Sequence, residues 1–162
     1  MKQTKRIAVD ALFAALALLL FLVEAQIPPI VPIPGIKLGL ANIMTLLTMR
    51  YFGKADAAAV LLVRIVLGSI FSGSVSSFLY SVSGALLCYG VLCILDGRVR
   101  QIWVVSIFGA IAHNTGQLLA ACVLMQSATV FWYFPYLLLA AICAGAFTGV
   151  TAHFFTCRFK MK

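Results

Sequence analysis

Charged residues are scarce in this 162-residue sequence: 10% of the residues are charged, four of them are acidic, and 64% are hydrophobic. A soluble domain carries about 25% charged residues, so the chain lacks the polar side chains that a water-facing surface of its size requires. The acidic residues, Asp10, Glu24, Asp56 and Asp96, stand apart from one another and form no aspartate-rich motif. The composition therefore excludes a soluble domain and predicts an integral membrane protein.

The sequence also lacks a CxxC motif, although it contains five cysteines, Cys88, Cys93, Cys122, Cys143 and Cys157. Four of them fall inside apolar segments, where cysteine is typically a small packing residue. Their spacing is not that of a metal site or a disulfide framework. A nucleophile–base pair and a P-loop are missing as well, so we expect no bound metal, no cofactor and no enzymatic activity of the chain itself.

Apolar segments separated by short polar breaks predict an all-α, polytopic membrane protein with six transmembrane helices. The predicted spans cover residues 7–23, 38–52, 55–71, 75–95, 102–125 and 135–155. The second is shorter than the roughly 20 residues that a spanning helix needs, so we expect it to start inside the protein or to lie tilted. Without a soluble domain or an internal repeat, residues 1–162 form one membrane domain, with a proline-rich loop at about residues 24–40.

The basic residues orient this domain. Ten of the twelve lie on one side of the predicted spans, whereas Lys37 lies on the other side and Arg64 lies within a span. The positive-inside rule predicts a multi-pass protein of the cell membrane with both termini in the cytoplasm and an external proline-rich loop. Since these charges lie in short clusters between spans, we expect the lipid bilayer as their partner and no nucleic acid. The first span resembles a signal peptide, but Glu24 and the following prolines argue against cleavage after Ala25.

Polar residues of three spans are predicted to lie at similar depth beneath this loop. The residues His113, Asn114 and Gln117 form an HNxxQ pattern in the fifth span. At a rise of about 1.5 Å per residue, Arg64 lies near the midplane of the bilayer and the HNxxQ residues lie in its outer half. Polar side chains at such depth usually face the bundle interior. The candidate ligand-binding residues are Lys37, Arg64, Ser76, Tyr80, His113, Asn114 and Gln117.

Two interpretations of these residues stay open. In the first they line an outward-facing pocket, the proline-rich loop is a stiff lid that carries Lys37, and the two cations favour a ligand that is anionic or partly anionic. In the second they form a structural network, in which Arg64 pairs with Glu24, the HNxxQ residues bond between helices, and Lys37 is exposed at the lipid headgroups.

Ala11 and Ala15 form a small-xxx-small pair in the first span. Small residues at this spacing let another helix approach closely. The approaching helix belongs either to this chain, as ordinary internal packing, or to a partner protein that docks on the first span.

The stretches PGIKLGLAN, RIVLGSIFSGSVSSFLYSVSGA and GAIAHNTGQ resemble the membrane family labelled "Gx transporter" or "heptaprenyl diphosphate synthase component I". This family is in turn similar to the substrate-binding S components of energy-coupling-factor (ECF) transporters. The resemblance implies six helices, cytoplasmic termini and an outward-facing pocket beneath the first loop. It adds Asn42, within PGIKLGLAN, to the substrate-binding candidates. Ala11 and Ala15 match the stripe by which S components meet their coupling subunit.

The resemblance therefore implies a subunit that captures a small molecule outside the cell for ATP-driven import, with separate coupling and ATPase subunits. The alternative is an accessory membrane subunit of an isoprenoid or quinone biosynthesis system, or of a flavin-linked electron-transfer system. The enzyme label has little support from the residues, because prenyl diphosphate synthases hold magnesium and diphosphate through aspartate-rich motifs, which this sequence lacks.

Overall fold

The computed structural model describes residues 3–27, 37 and 39–159. Over these residues the chain forms six α-helices, one 3-10 helix (η1) and no strand, which confirms the predicted all-helical bundle. The elements are α1 (Gln3–Ala25), α2 (Asn42–Phe52), α3 (Lys54–Ser72), α4 (Val75–Leu95), α5 (Ile102–Leu124), η1 (Ala128–Tyr133) and α6 (Phe134–Arg158). The prolines of the predicted lid, between residues 28 and 34, lie outside the described residues.

Five helical segments are long and apolar enough to cross a membrane, namely α1, α3, α4, α5 and the unit of η1 and α6. The second segment is different, because α2 has 11 residues and is therefore about 17 Å long. It starts at the buried Asn42, and seven of its residues are buried. This short helix lies within the bundle and brings its N-terminus to the protein interior.

Two glycines with positive φ set the limits of α2. Gly39 (φ 83°) lies in the turn before the helix, and Gly53 (φ 100°) ends it. The N–H of Gly53 donates to the carbonyl oxygens of Thr48 and Met49, which otherwise lack partners at a helix C-terminus. Residues with a side chain rarely adopt these backbone angles.

Glycines also permit direct backbone contact between α4, α5 and α6. A Cβ atom at Gly116 of α5 would lie 2.5 Å from the carbonyl oxygen of Ser83, and one at Gly149 of α6 would lie 2.5 Å from the Cα of Trp103. Ser106 and Thr148 share a hydrogen bond of 2.9 Å across the α5–α6 contact. Small residues and interhelical hydrogen bonds are typical of helix packing in membranes.

Polar contacts join several helix ends at one end of the bundle. Arg6 pairs with Asp56 at 2.6 Å and so connects the start of α1 to the start of α3. The Tyr51 hydroxyl donates to the Phe159 carbonyl oxygen, and Lys54 donates to the carbonyl oxygen of Cys93. The first residues of α1 and the last of α6 therefore lie at the same end as the α2–α3 and α4–α5 turns, and the start of α2 belongs to the other half of the bundle.

Candidate functional site

The end of α1 is fastened to the start of α2 by a buried carboxylate. Glu24 is 4% exposed, and its two oxygens accept hydrogen bonds from the backbone N–H groups of Gly39 (2.5 Å) and Leu40 (3.1 Å). The ion pairs between described residues are Arg6–Asp56 and Lys54–Asp96. Glu24 therefore does not pair directly with Arg64, as the structural-network interpretation expected, although it lies within electrostatic range of that guanidinium.

Lys37 is half-buried and contacts side chains of α1 and α5. Its backbone N–H donates to Oε1 of Gln117 (3.1 Å), and its Nζ lies 3.2 Å from the centroid of the Phe21 ring, an arrangement that a cation–π attraction stabilises. Burial lowers the pKa of Lys37 from 10.5 to about 8, an effect that the carboxylate of Glu24 opposes and the positive charge of Arg64 reinforces. The ammonium group is thus largely charged at neutral pH and partly withdrawn from water.

His113 lies between two glycines. Its side chain is 2% exposed. A Cβ atom at Gly39, before α2, or at Gly84, in α4, would lie 2.8 Å from imidazole atoms, and the Cβ at Gly84 would also lie 2.9 Å from Cγ of Gln117. Both glycines therefore provide the space that lets α5 present His113 and Gln117 to the interior.

Several buried polar atoms in this region have no hydrogen-bond partner among the described residues. They are Nε and Nη2 of Arg64, both side-chain polar atoms of Asn42, Oγ1 of Thr45 and Oδ1 of Asn114. Arg64 is 3% exposed and lies within electrostatic range of His113 and Cys88. Buried polar groups in native proteins almost always have partners, so this set is unusual.

We call the following residues the polar cluster: Glu24, Lys37, Asn42, Thr45, Arg64, His113, Asn114 and Gln117. Thr45 is included because it lies one turn after Asn42 on α2, and Asn114 because it follows His113 on α5. Asn42 and Cys88 line a narrow cleft between α2, α4, α5 and α6, together with Ser106 and Thr148. Gly39 brings Asn42 next to His113. Asn114 also has a structural role, since its Nδ2 donates to the Leu137 carbonyl oxygen of α6 (3.0 Å).

Two of the predicted ligand-binding residues lie in other surroundings. Ser76 is exposed, and its hydroxyl shares a hydrogen bond of 2.9 Å with that of Ser74 at the start of α4. Tyr80 is buried in an apolar cluster with Leu118, Val130 and other residues of α5, η1 and α6. The participation of Ser76 and Tyr80 in ligand binding stays a prediction. A ligand held by the polar cluster would have to extend beyond it to reach them.

The structure adds residues that the sequence reasoning missed. Thr45 lies three residues after Asn42, so the i, i+3 spacing on α2 could have indicated that both share a face. Gly39 and Gly84 gave no comparable signal, because only the fold brings both of them against His113.

The small-residue pair of α1 faces outward. Ala11 and Ala15 are both exposed, and α1 buries Phe13, Ala14 and Ala17 on its inner side. The described residues of this chain leave the pair open to lipid or to another protein, and its role in partner binding stays a prediction.

A second feature on the outer surface is an apolar groove between α4 and α5. It runs over the backbone contact at Gly116 and is lined mainly by Leu79, Leu86, Leu87, Leu119 and Val123. The close approach of Gly116 to α4 creates the depression, and the flanking leucines form its walls.

A family model described as heptaprenyl diphosphate synthase component I matches residues 13–155 of the chain. No curated protein and no solved structure matches the chain significantly.

Proposed function

The chain belongs to the heptaprenyl diphosphate synthase component I family, and we propose that its role is to capture a small molecule rather than to catalyse a reaction. In this proposal the chain is a single membrane domain that resembles the S components of ECF transporters. It binds its ligand from outside the cell for import by separate coupling and ATPase subunits. The observation that carries the proposal is the polar cluster, whose buried atoms include several without a partner among residues 3–27, 37 and 39–159.

The cost of these unpartnered atoms supports binding. A buried polar group without a hydrogen bond costs about 1–3 kcal/mol in a protein, and a lipid-embedded bundle offers little water to reduce that cost. Arg64, Asn42 and Thr45 contribute most of the unpartnered atoms. A ligand that bonds to them recovers this free energy, which a purely structural network would have recovered within the protein.

Three hydrogen bonds hold the residues before α2 against the cluster. They join the backbone N–H of Lys37 to Gln117, and the N–H groups of Gly39 and Leu40 to Glu24. The bond to Gln117 is worth about 0.5–1.5 kcal/mol net, and each bond to the Glu24 carboxylate about 1.5–3 kcal/mol. Releasing this part of the chain therefore costs several kcal/mol, which ligand binding has to offset. Ligand entry from this end of the bundle would require that release.

The accessory-subunit alternative has one observation in its favour, the apolar groove between α4 and α5. A lipid-tailed compound could lie there, beside the membrane. The polar cluster favours capture of a polar molecule, because such a groove uses none of the unpartnered atoms. Mass spectrometry of compounds that co-purify with the protein in detergent separates the two: a polar compound supports capture, and a polyprenyl or quinone compound supports the alternative.

Lys37→Met and Gln117→Ala are expected to weaken binding of the co-purifying compound by about ten- to a hundredfold, the loss expected for one charge-assisted hydrogen bond. Methionine keeps most of the stem of Lys37 and removes its charge. Isothermal titration with the purified compound measures the effect. Lys54→Met, at the opposite end of the bundle, is the matched control and should bind normally. Normal affinity of both Lys37→Met and Gln117→Ala would place the binding site elsewhere.

The proposed orientation is tested by single cysteines in a cysteine-free background. Arg98→Cys, in the α4–α5 turn, is expected to react with a membrane-impermeant maleimide only after the cells are opened. Thr129→Cys, in the exposed start of η1, should react in intact cells. The expectation rests on the excess of basic residues at the Arg98 end. Labelling of Arg98→Cys in intact cells would show that the orientation is the reverse of the one proposed.

A further inference from the structure

We propose that the captured molecule is a small, water-soluble monocarboxylate whose carboxylate binds the Nε–Nη2 edge of Arg64. This inference rests on the proposed function and names the substrate class of the same site.

The orientation of unpartnered atoms on Arg64 is the first argument. Nε and Nη2 lie on the same edge of the planar guanidinium, and both are buried without a partner among the described residues. This edge carries two parallel N–H groups, which match the two oxygens of a carboxylate or the paired oxygens of a phosphate. With the residue 3% exposed, bulk water screens this edge much less than it screens a surface arginine.

The balance of charge selects among the possible anions. Lys37 and Arg64 contribute two positive charges, and Glu24, whose oxygens accept two N–H bonds, contributes one negative charge. A ligand with one negative charge neutralises the remaining positive charge, and burying balanced charges costs far less than burying an excess. A phosphomonoester or a diphosphate, with two or three negative charges, would leave the cluster negative.

The neutral members of the cluster argue for a ligand with further polar groups. In the part of the chain that the structure describes, both side-chain polar atoms of Asn42, the Thr45 hydroxyl and the Asn114 carbonyl oxygen have no hydrogen-bond partner. A fatty acid would leave these atoms unsatisfied, at a cost for each. The N-terminus of α2 also begins at Asn42, so the positive end of its helix dipole favours the anion. A compact carboxylate with amide, hydroxyl or ring nitrogen groups would satisfy these atoms. The cleft at Asn42 has room for only about 10 Å³, so binding requires the helices around it to move apart.

The experiment tests which compounds the protein retains from one extract prepared in three chemical forms. The purified protein is stripped of bound compounds in detergent and incubated with aqueous yeast extract. One portion of the extract is untreated, one is treated with phosphatase, and one is methylated so that carboxylates become neutral esters. Compounds retained by the washed protein are identified by mass spectrometry. We expect a compound retained from the untreated and phosphatase-treated portions and lost from the methylated portion.

Three variants connect that compound to Arg64. Arg64→Gln should lose retention, at least a hundredfold. Arg64→Lys, which keeps the charge and most of the volume but not the paired N–H groups, should bind about ten- to a hundredfold more weakly. Arg50→Gln, at an exposed arginine at the end of α2, is the matched control and should retain the compound normally. Thermal unfolding of each variant identifies any loss that is due to misfolding, and Arg64→Lys covers the case in which Arg64→Gln does not fold.

The outcomes separate this inference from the proposed function. Suppose that the protein retains a compound from the methylated portion, or loses it in the phosphatase-treated portion, and that retention depends on Lys37 and Gln117. That result would overturn the monocarboxylate and leave the proposed capture function standing. Normal affinity of Arg64→Lys for a retained carboxylate would overturn the role of the Nε–Nη2 edge. If no portion yields a compound that depends on the polar cluster, the proposed function itself fails.

Discussion

Gly116→Ala is expected to destabilise the bundle by about 2–3 kcal/mol, the upper part of the range for overpacked interiors. The added Cβ would lie 2.5 Å from the Ser83 carbonyl oxygen and 2.9 Å from the Cα of Gly84. Both are backbone atoms, so α4 and α5 must move apart to relieve the clash. That movement would also displace Gly84 from His113 and Gln117, which means that ligand binding should fall together with stability.

Gly90→Ala is the matched control, because Gly90 also lies inside a helix, α4, and a Cβ there meets nothing within 4 Å. Alanine favours helix by about 1 kcal/mol relative to glycine, so this variant should be as stable as the parent or more stable. Reversible unfolding in mixed detergent micelles, followed by circular dichroism, compares the three proteins. Equal stability of Gly116→Ala and Gly90→Ala would mean that the α4–α5 contact is looser than the structure shows.

Replacing Ala11 and Ala15 together with leucine is expected to abolish assembly with a coupling subunit and to leave ligand binding unchanged. The two alanines lie one turn apart on α1 and are exposed, so leucine there adds volume to the outer surface without displacing any residue of this chain. A helix that packs closely on small residues loses that approach when the residues become large. Lipid, by contrast, accepts leucine readily.

Co-expression with a coupling subunit and its ATPases, followed by affinity purification through this chain, measures the assembly. A double variant on another exposed face, Cys143→Leu with Thr151→Leu on α6, controls for added bulk. Full recovery of the partner with the Ala11 and Ala15 variant would show that α1 faces only lipid. Loss of the partner in both double variants would point to a general defect in the membrane domain.

Much of the fold follows from the sequence, because the bilayer imposes strong rules on it. A spanning segment must satisfy its backbone internally, so long apolar runs become helices. Five of the six predicted spans correspond to helical segments that are long enough to cross a membrane. The remaining one, the second span, was already recognisable from the sequence as too short. The exposed or buried state of Ala11 and Ala15 could not be predicted, because that depends on which face of α1 the other helices cover.

The sequence by itself also indicated that polar residues of several helices lie at similar depth, since depth follows from helical rise. It did not determine which side chains meet. The tertiary structure decided that Glu24 bonds to the backbone before α2 rather than to Arg64, and that Lys37 lies over Phe21. The reason is geometric: rise sets the height of a side chain, whereas its partners depend on helix rotation and on close approaches at Gly39, Gly84 and Gly116, which only the assembled bundle determines.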